Sequence, residues 1–401
     1  MRGGYDLRGI GIWDLGFGIY HRHVLHRPFV LAAGLAALVA AASLVWVEVR
    51  EERDFRTLIA VGDAALGQDQ AVVAIEAFSG AVALKPTSML AYLKRGDAYR
   101  RRGEYTAALR DLSQAAALDD TAPQPLELLG DVNAALGRHD DAADSYQRCL
   151  QLDDRAMRVM YKLALSYVRV GQAARAVDPL KRVVMIDDRL AEAHYLLGMS
   201  LRAREQYDEA VRALRRAVEL RAGFIAAREE LAELYASLGR SRDSIDELEA
   251  IAALEPRRPE RLVAVSLAYA RIGRRDTAIA TLGRAAERYP NSPVVYAALG
   301  RLWLDAADSG RDVIALQKAI EALQTIGLRT DATSEALVLY GRALLWSGRA
   351  EEAERVLQQA SARPPVDPSA YRDLADAADR LGHAAAARTA RARYAALTGS
   401  S

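Results

Sequence analysis

The chain has one cysteine, Cys149, in 401 residues, so it carries neither an internal disulfide nor a Cys-rich metal site. Proline and aromatic residues are sparse, which disfavours a strand-rich architecture and leaves a helix-favouring mix dominated by Ala, Leu and Arg. Charge of one sign is also missing: the net value of +1 lacks the basic excess of a nucleic-acid protein. No Walker-type phosphate loop, no His-Glu-x-x-His and no nucleophile-elbow serine occurs, and Gly9-Ile10-Gly11 lacks the third glycine of a dinucleotide fingerprint. The few histidines offer no constellation either. His139, His194 and His383 fall far apart, and the His21/His23/His26 cluster has no carboxylate or cysteine beside it and reads as a solvated run. Cys149 falls where other segments place alanine and reads as a small core residue. The expectation is a non-enzyme with no cofactor, no metal and no small-molecule substrate.

One long apolar run is present. Residues 29–47, Phe29 to Val47, carry no charge, and as a helix they would cover roughly 28 Å, close to the hydrocarbon thickness of a bilayer. Arg2, Arg8, Arg22 and Arg27 precede it, whereas Arg50 and Arg53 after it are mixed with Glu48, Glu51 and Glu52. That asymmetry predicts a single-pass anchor in a bacterial inner membrane, with the N-terminus cytoplasmic and the rest periplasmic. A cleaved signal peptide is the rival, but some 27 residues before the run make a long n-region. Residues 1–28, glycine-rich with Trp13, Phe17 and Tyr20, read as a disordered or interfacial cytoplasmic tail. Residues 48–54 read as a helical linker, with no Gly or Pro between Val47 and Gly62, so a single helix is expected from about Phe29 to Leu66.

Beyond the linker the sequence repeats. Gly62, Gly96 and Gly130 are 34 residues apart, and the same step continues through Ala164, Gly198, Ala232, Ser266 and Gly300, all small. A second small column runs from Ala74 through Ala108, Ala142, Ala176, Ala210, Ser244 and Ala278. A bulky column runs from Phe78 through Leu112, Tyr146, Leu180, Leu214, Leu248 and Leu282. Each unit reads as two helices whose small residues let the axes approach, with the bulky residue filling the gap toward the next unit. Gly103, Gly137, Gly171, Gly239 and Gly273 fall between the helices as left-handed stops. Pro86, Pro256 and Pro290, or Asp120, Asp154 and Asp188, close each unit and are expected to start or cap the next helix.

With Tyr92, Gly96, Tyr99, Ala108, Leu112 and Ala115, and with Leu58, Gly62, Ala74, Phe78, Ala81 and Pro86, the sequence resembles the tetratricopeptide-repeat family over about 55–398. The resemblance implies an all-α, right-handed superhelical array of about ten helical hairpins, with a concave face lined by the first helix of each. Units 1–8 begin within 55–305. The eighth is seven residues too long, with an irregular insertion and second helix in 306–333, the excess falling around Ala306–Val313 and Gly310 the expected bend. Units 9 and 10 occupy 334–398, and a junction between a long and a short array is expected at the insertion.

The resemblance implies that function lies in the groove, in binding proteins or peptides. Asp63, Asp97 and Asp131 share one register position and form a candidate acidic strip. Arg100, Tyr161, Tyr195, Met199 and Arg202 are candidate contacts, since aromatic and arginine side chains are enriched in binding hot spots. Ile59 and Asp63 stand where a chaperone-type carboxylate clamp has Lys and Asn, which argues against that ligand. The leading expectation is a membrane scaffold for assembly of an envelope complex. The alternatives are a cytoplasmic-facing assembly factor and an accessory subunit of a separately encoded enzyme.

Overall fold

The structure is a computed structural model that describes residues 18–308, 311–327, 329 and 331–399, with side chains from residue 32 onward. Among the described residues it is all-helical, with twenty α-helices and one short 3₁₀ turn. The chain divides into two compact units, residues 1–171 and 172–401.

The first unit opens with α1 (Gly18–Gly67), followed by α2 (Ala71–Leu84), α3 (Met89–Arg102), α4 (Tyr105–Leu118), α5 (Pro123–Ala135), α6 (His139–Leu152) and α7 (Met157–Arg169). The second begins with a 3₁₀ turn (Ala173–Ala176) and α8 (Val177–Ile186). It continues through α9 (Ala191–Ala203), α10 (Tyr207–Leu220), α11 (Ile225–Ser237), α12 (Ser241–Leu254), α13 (Pro259–Arg271) and α14 (Arg275–Arg288). Six more helices complete it: α15 (Pro293–Ala306), α16 (Val313–Gly327), α17 (Ser334–Trp346), α18 (Ala350–Ser361), α19 (Ser369–Arg380) and α20 (Ala384–Thr398).

Helix α1 is 50 residues long and begins at Gly18, eleven residues before the expected Phe29. Residues 18–28 are helical, while residues 1–17 lie outside the described part, as do the side chains of His21, His23 and His26. Its apolar stretch is long and apolar enough to cross a membrane, and every side chain from 32 to 49 is exposed. The same helix then becomes the first helix of the first hairpin, packed against α2.

The two small columns act as expected, and the bulky column packs both within its own hairpin and toward the next. A Cβ on Gly62 would lie 2.3 Å from the Phe78 ring, and one on Gly130 2.3 Å from the Tyr146 ring. The corresponding distances are 2.5 Å from Gly198 to Leu214 and 2.5 Å from Gly341 to Leu357. The bulky residue therefore lies over the glycine of its own hairpin and also packs toward the next, Phe78 sharing a cluster with Ala98 and Leu282 one with Val295, Ala298 and Leu302. The reason is geometric: the glycine opens a hollow on the first helix, and the opposing residue of the second helix is the nearest group able to fill it. Leu248, opposite Ala232, is half-buried, whereas Leu180 opposite Ala164 and Leu282 opposite Ser266 are as fully buried as Leu112 and Leu214 opposite glycines.

The turn glycines Gly103, Gly137, Gly171, Gly239 and Gly273 all have positive φ, between 72° and 83°. Asp69 and Glu205, at the same place in hairpins one and five, adopt φ 59° and 61° without being glycine. The inter-hairpin aspartates differ from expectation by one residue. Asp119, Asp153 and Asp187, rather than Asp120, Asp154 and Asp188, accept from the backbone N–H two residues on, at 3.0–3.1 Å. Asp120 precedes α5 by too many residues to occupy its N-cap, which is Ala122.

The division between compact units falls at Gly171, in the fourth hairpin, and not at the insertion. All seven extra residues of hairpin eight lie before Leu323, the residue that covers Gly300. Four lengthen the connection from α15 and three add nearly a turn to the start of α16. The connection is packed: Ala307 is fully buried, and the Asp312 carboxylate caps α16 by accepting from the Ile314 and Ala315 N–H groups, both at 3.0 Å. Gly310 lies outside the described residues. Leu304, Ala307 and α16–α20 then share one hydrophobic core.

Candidate functional site

The first helices α1, α3 and α5 of the first unit neighbour one another, as do α13, α15, α17 and α19 of the second, which places their ninth residues in a row. In the first unit this row holds Asp63, Asp97 and Asp131, and each already has a cation. Lys94, 31 residues after Asp63, donates to it at 2.8 Å, and Lys162, 31 residues after Asp131, approaches within 2.6 Å. At Asp97 the residue 31 on is Leu128, and the carboxylate takes Arg100 and Arg101 from its own helix instead, at 2.6 and 3.0 Å. The acidic strip is therefore a row of ion pairs, two of which join adjacent hairpins, and Arg100 belongs to it.

Hairpin three concentrates these charges. The Tyr146 hydroxyl donates to Asp131 at 2.7 Å, and Lys162 bridges Asp131 to Glu127, which also meets Arg158. Burial opposes ionisation of Glu127, but the hydrogen bonds from Lys162 and then Arg158 hold its carboxyl below the usual range. Burial and the bond to Asp131 push the Tyr146 phenol above its usual value. Within α3 and α4, Arg95 makes a two-pronged contact with buried Asp111, at 2.5 and 3.0 Å.

Tyr161 belongs to the first unit, and Tyr195, Met199 and Arg202 to the second. Met199 is half-buried on α9. The Tyr195 ring lies 5.0 Å from that of Phe224, and its phenol is shifted upward by burial and by the charges of Glu230 and Glu229. Arg202 spans to α11, meeting Glu230 at 2.7 Å and Glu233 at 3.0 Å. Tyr195 and Arg202 thus sit on one helix face, with Arg202 committed to an inter-hairpin bridge.

Sequence reasoning missed a cleft of about 210 Å³ lined by α15, α17 and the residues leading into α19. Its floor is buried Leu304, Val338 and Leu339, and half-buried Trp346 stands at one side. On the rim Arg301 meets Glu335, while Arg342 is held by Asp373 at 2.8 Å, which also takes Arg372 at 2.9 Å. Among the described residues two carboxylates have no cation: Asp305 shows no side-chain hydrogen bond or ion pair, and the Asp367 carboxylate accepts only from Ser369, through its N–H at 2.9 Å and its hydroxyl at 2.5 Å. The indole N–H of Trp346 has no partner among them either. A larger recess of about 760 Å³ adjoins the cleft and shares Glu335 and Asp367. The readable signal was the ninth-residue column itself, which turns from Asp63, Asp97 and Asp131 to Arg301 and Arg342 once the register is carried across the insertion. Another open groove, of about 1250 Å³, runs along α1 beside Lys85 and Pro86.

Among the described residues no group of three or more His, Cys, Asp or Glu side chains is placed to hold a metal ion. Cys149 is buried, its thiol donating to the Pro123 carbonyl at 3.3 Å, and burial pushes its pKa up to about 11.

Comparison with protein families matches residues 96–137 to a family described as TPR repeat. Residues 127–194, 191–223 and 315–378 match families described as tetratricopeptide repeat. Residues 210–289 match one described as bacterial transcriptional activator domain, and they fold here as α10 to α14, hairpins of the same build. No curated protein matches. Among solved structures, YrrB, described as a TPR protein with an unusual peptide-binding site, is 22% identical, covering 47% of this chain and 98% of its own, with a TM-score of 0.45. MamA from Desulfovibrio magneticus is 25% identical over 42% of this chain and 93% of its own, at 0.39. A tetratricopeptide repeat protein from Parabacteroides merdae is 17% identical over 62% and 98%, at 0.42.

Proposed function

The chain is a tetratricopeptide-repeat protein, and from that premise we propose that it is a membrane-anchored, non-catalytic scaffold that binds proteins or peptides along the first-helix faces and helps assemble an envelope complex. The observation that carries the reading is α1. One continuous helix joins an apolar stretch that no other part of the described chain covers to the first hairpin of the array. An uncovered apolar helix of that length is stable where lipid surrounds it. The arginines before the apolar run and the mixed charges after it support a cytoplasmic N-terminus and a periplasmic array.

Arg100, Tyr161, Tyr195, Met199, Arg202, Asp63, Asp97 and Asp131 are the proposed partner-contact residues. Because Arg202 and the three aspartates hold hairpins or helix turns together, Met199 is the cleaner probe of binding. The test is affinity capture from detergent-solubilised membranes. The wild-type chain is expected to stay in the membrane pellet after alkaline carbonate and to retain partner proteins. Met199→Ala should reduce capture at least about tenfold with the thermal melt unchanged. Carbonate release of the wild type removes the anchor, and undiminished capture by the variant moves the contact face elsewhere.

A further inference from the structure

We propose that the cleft between α15 and α17 accepts the side chain of a lysine or arginine presented by a partner polypeptide. The inference rests on the partner-binding reading and names the partner chemistry at one place on that surface. The cleft's volume, about 210 Å³, suits a single long side chain rather than a folded surface. Its floor of Leu304, Val338 and Leu339 matches the alkyl stem of such a residue. Trp346 lines the same cleft and among the described residues is engaged by no cation, unlike Trp303, over which Lys318 sits at 4.5 Å, so its indole is available to a cationic head.

Charge selects the occupant. Both arginines of the cleft are engaged, Arg301 by Glu335 and Arg342 by Asp373, so neither is free to receive an anion without giving up a bridge. Among the described residues Asp305 and Asp367 are left without a counter-cation. An incoming ammonium or guanidinium satisfies them. An acidic side chain meets two like charges, and an apolar one fills the floor while leaving both carboxylates unpaired.

The test is an array of immobilised peptides with degenerate flanks and a fixed central Arg, Lys, norleucine or Glu, overlaid with the full chain in detergent micelles. Arg- and Lys-centred peptides are expected to retain at least about tenfold more protein than norleucine-centred ones, and Glu-centred peptides least. Asp305→Asn should erase the cationic preference, and Trp346→Ala should lower retention of all Arg and Lys peptides. Asp276→Asn, which removes an exposed and unpaired acid elsewhere, should change nothing and so excludes attraction to surface charge in general. Preference for Glu-centred peptides, or a cationic preference that survives Asp305→Asn and Trp346→Ala, overturns the proposal. The scaffold reading stands or falls separately, on whether the wild-type chain captures partners from membranes.

Discussion

At Gly130 a single methyl group would have to occupy space already held by the Tyr146 ring, 2.3 Å from the Cβ position. At Gly283, on α14, the same methyl would meet nothing within 4 Å. Gly130→Ala should therefore lower stability by about 1–3 kcal/mol, the range for overpacking a filled core, while Gly283→Ala should raise it by up to about 1 kcal/mol through helix propensity. Thermal melts of the two variants are expected to move in opposite directions, and a shared sign would show that the hairpins do not depend on that close approach. Cys149 makes a pH-dependent contribution. The folded thiol keeps its proton up to about 11, whereas an unfolded one releases it near its ordinary 9.0. Between those values the native state binds more protons, so this contribution is full below pH 9 and is lost as pH rises toward 11. Cys149→Ala, which places the alanine found at Ala81, Ala115 and Ala217, should flatten that part of the urea-stability profile. A slope unchanged in the variant would assign it to other groups.

At the scale of the helix, the second elements of hairpins two, three and five begin at Tyr105, His139 and Tyr207, in 34-residue register, and that register puts the fourth at Ala173. It begins at Val177 instead, after a 3₁₀ turn. Pro179 accounts for the difference. In a helix started at Ala173 its ring would strike the Arg175 carbonyl and one intrahelical hydrogen bond would be lost, whereas in the first turn of α8 neither penalty arises. Pro179→Ala should restore helix from Ala173 and slow amide exchange across residues 173–178. Exchange that stays fast would attribute the turn to something other than the proline. This irregularity was written in the sequence, since no other proline falls past the first turn of a repeat helix, but the small-residue columns run through it undisturbed and conceal it. The period was legible because glycine and its bulky cover sit at a constant offset, 16 residues in Gly62–Phe78 and Gly130–Tyr146. The insertion was legible in length but not in consequence: spacing counts seven extra residues without revealing that Ala307 is buried or that Asp312 is a cap.

At the scale of the molecule, the candidate contacts were the least legible part. Register predicts which residues share a face, but not whether that face is already satisfied from within. Lys94 and Lys162, each 31 residues beyond an aspartate, neutralise two of the three strip residues, and that pairing depends on the reach of lysine stems across neighbouring hairpins. Asp305 and Trp346 went unnoticed for the converse reason, since nothing in the spacing marks a charge or an indole left without a partner. The continuous α1 carries a consequence of another kind, which is angular. Each residue of an α-helix advances the chain by about 1.5 Å and turns it by about 100°. On the proposed anchoring, with no glycine or proline between Val47 and Gly62 to absorb rotation, the apolar segment fixes the bearing of the first hairpin about the helix axis. Two alanines inserted after Arg50 should swing that hairpin by about 200°, while seven bring it back to within about 20° at a height some 10 Å farther out. Partner capture in intact membranes should accordingly be lost with two and recovered with seven, whereas equal capture at both lengths would mean that the bearing is immaterial and only the distance is kept.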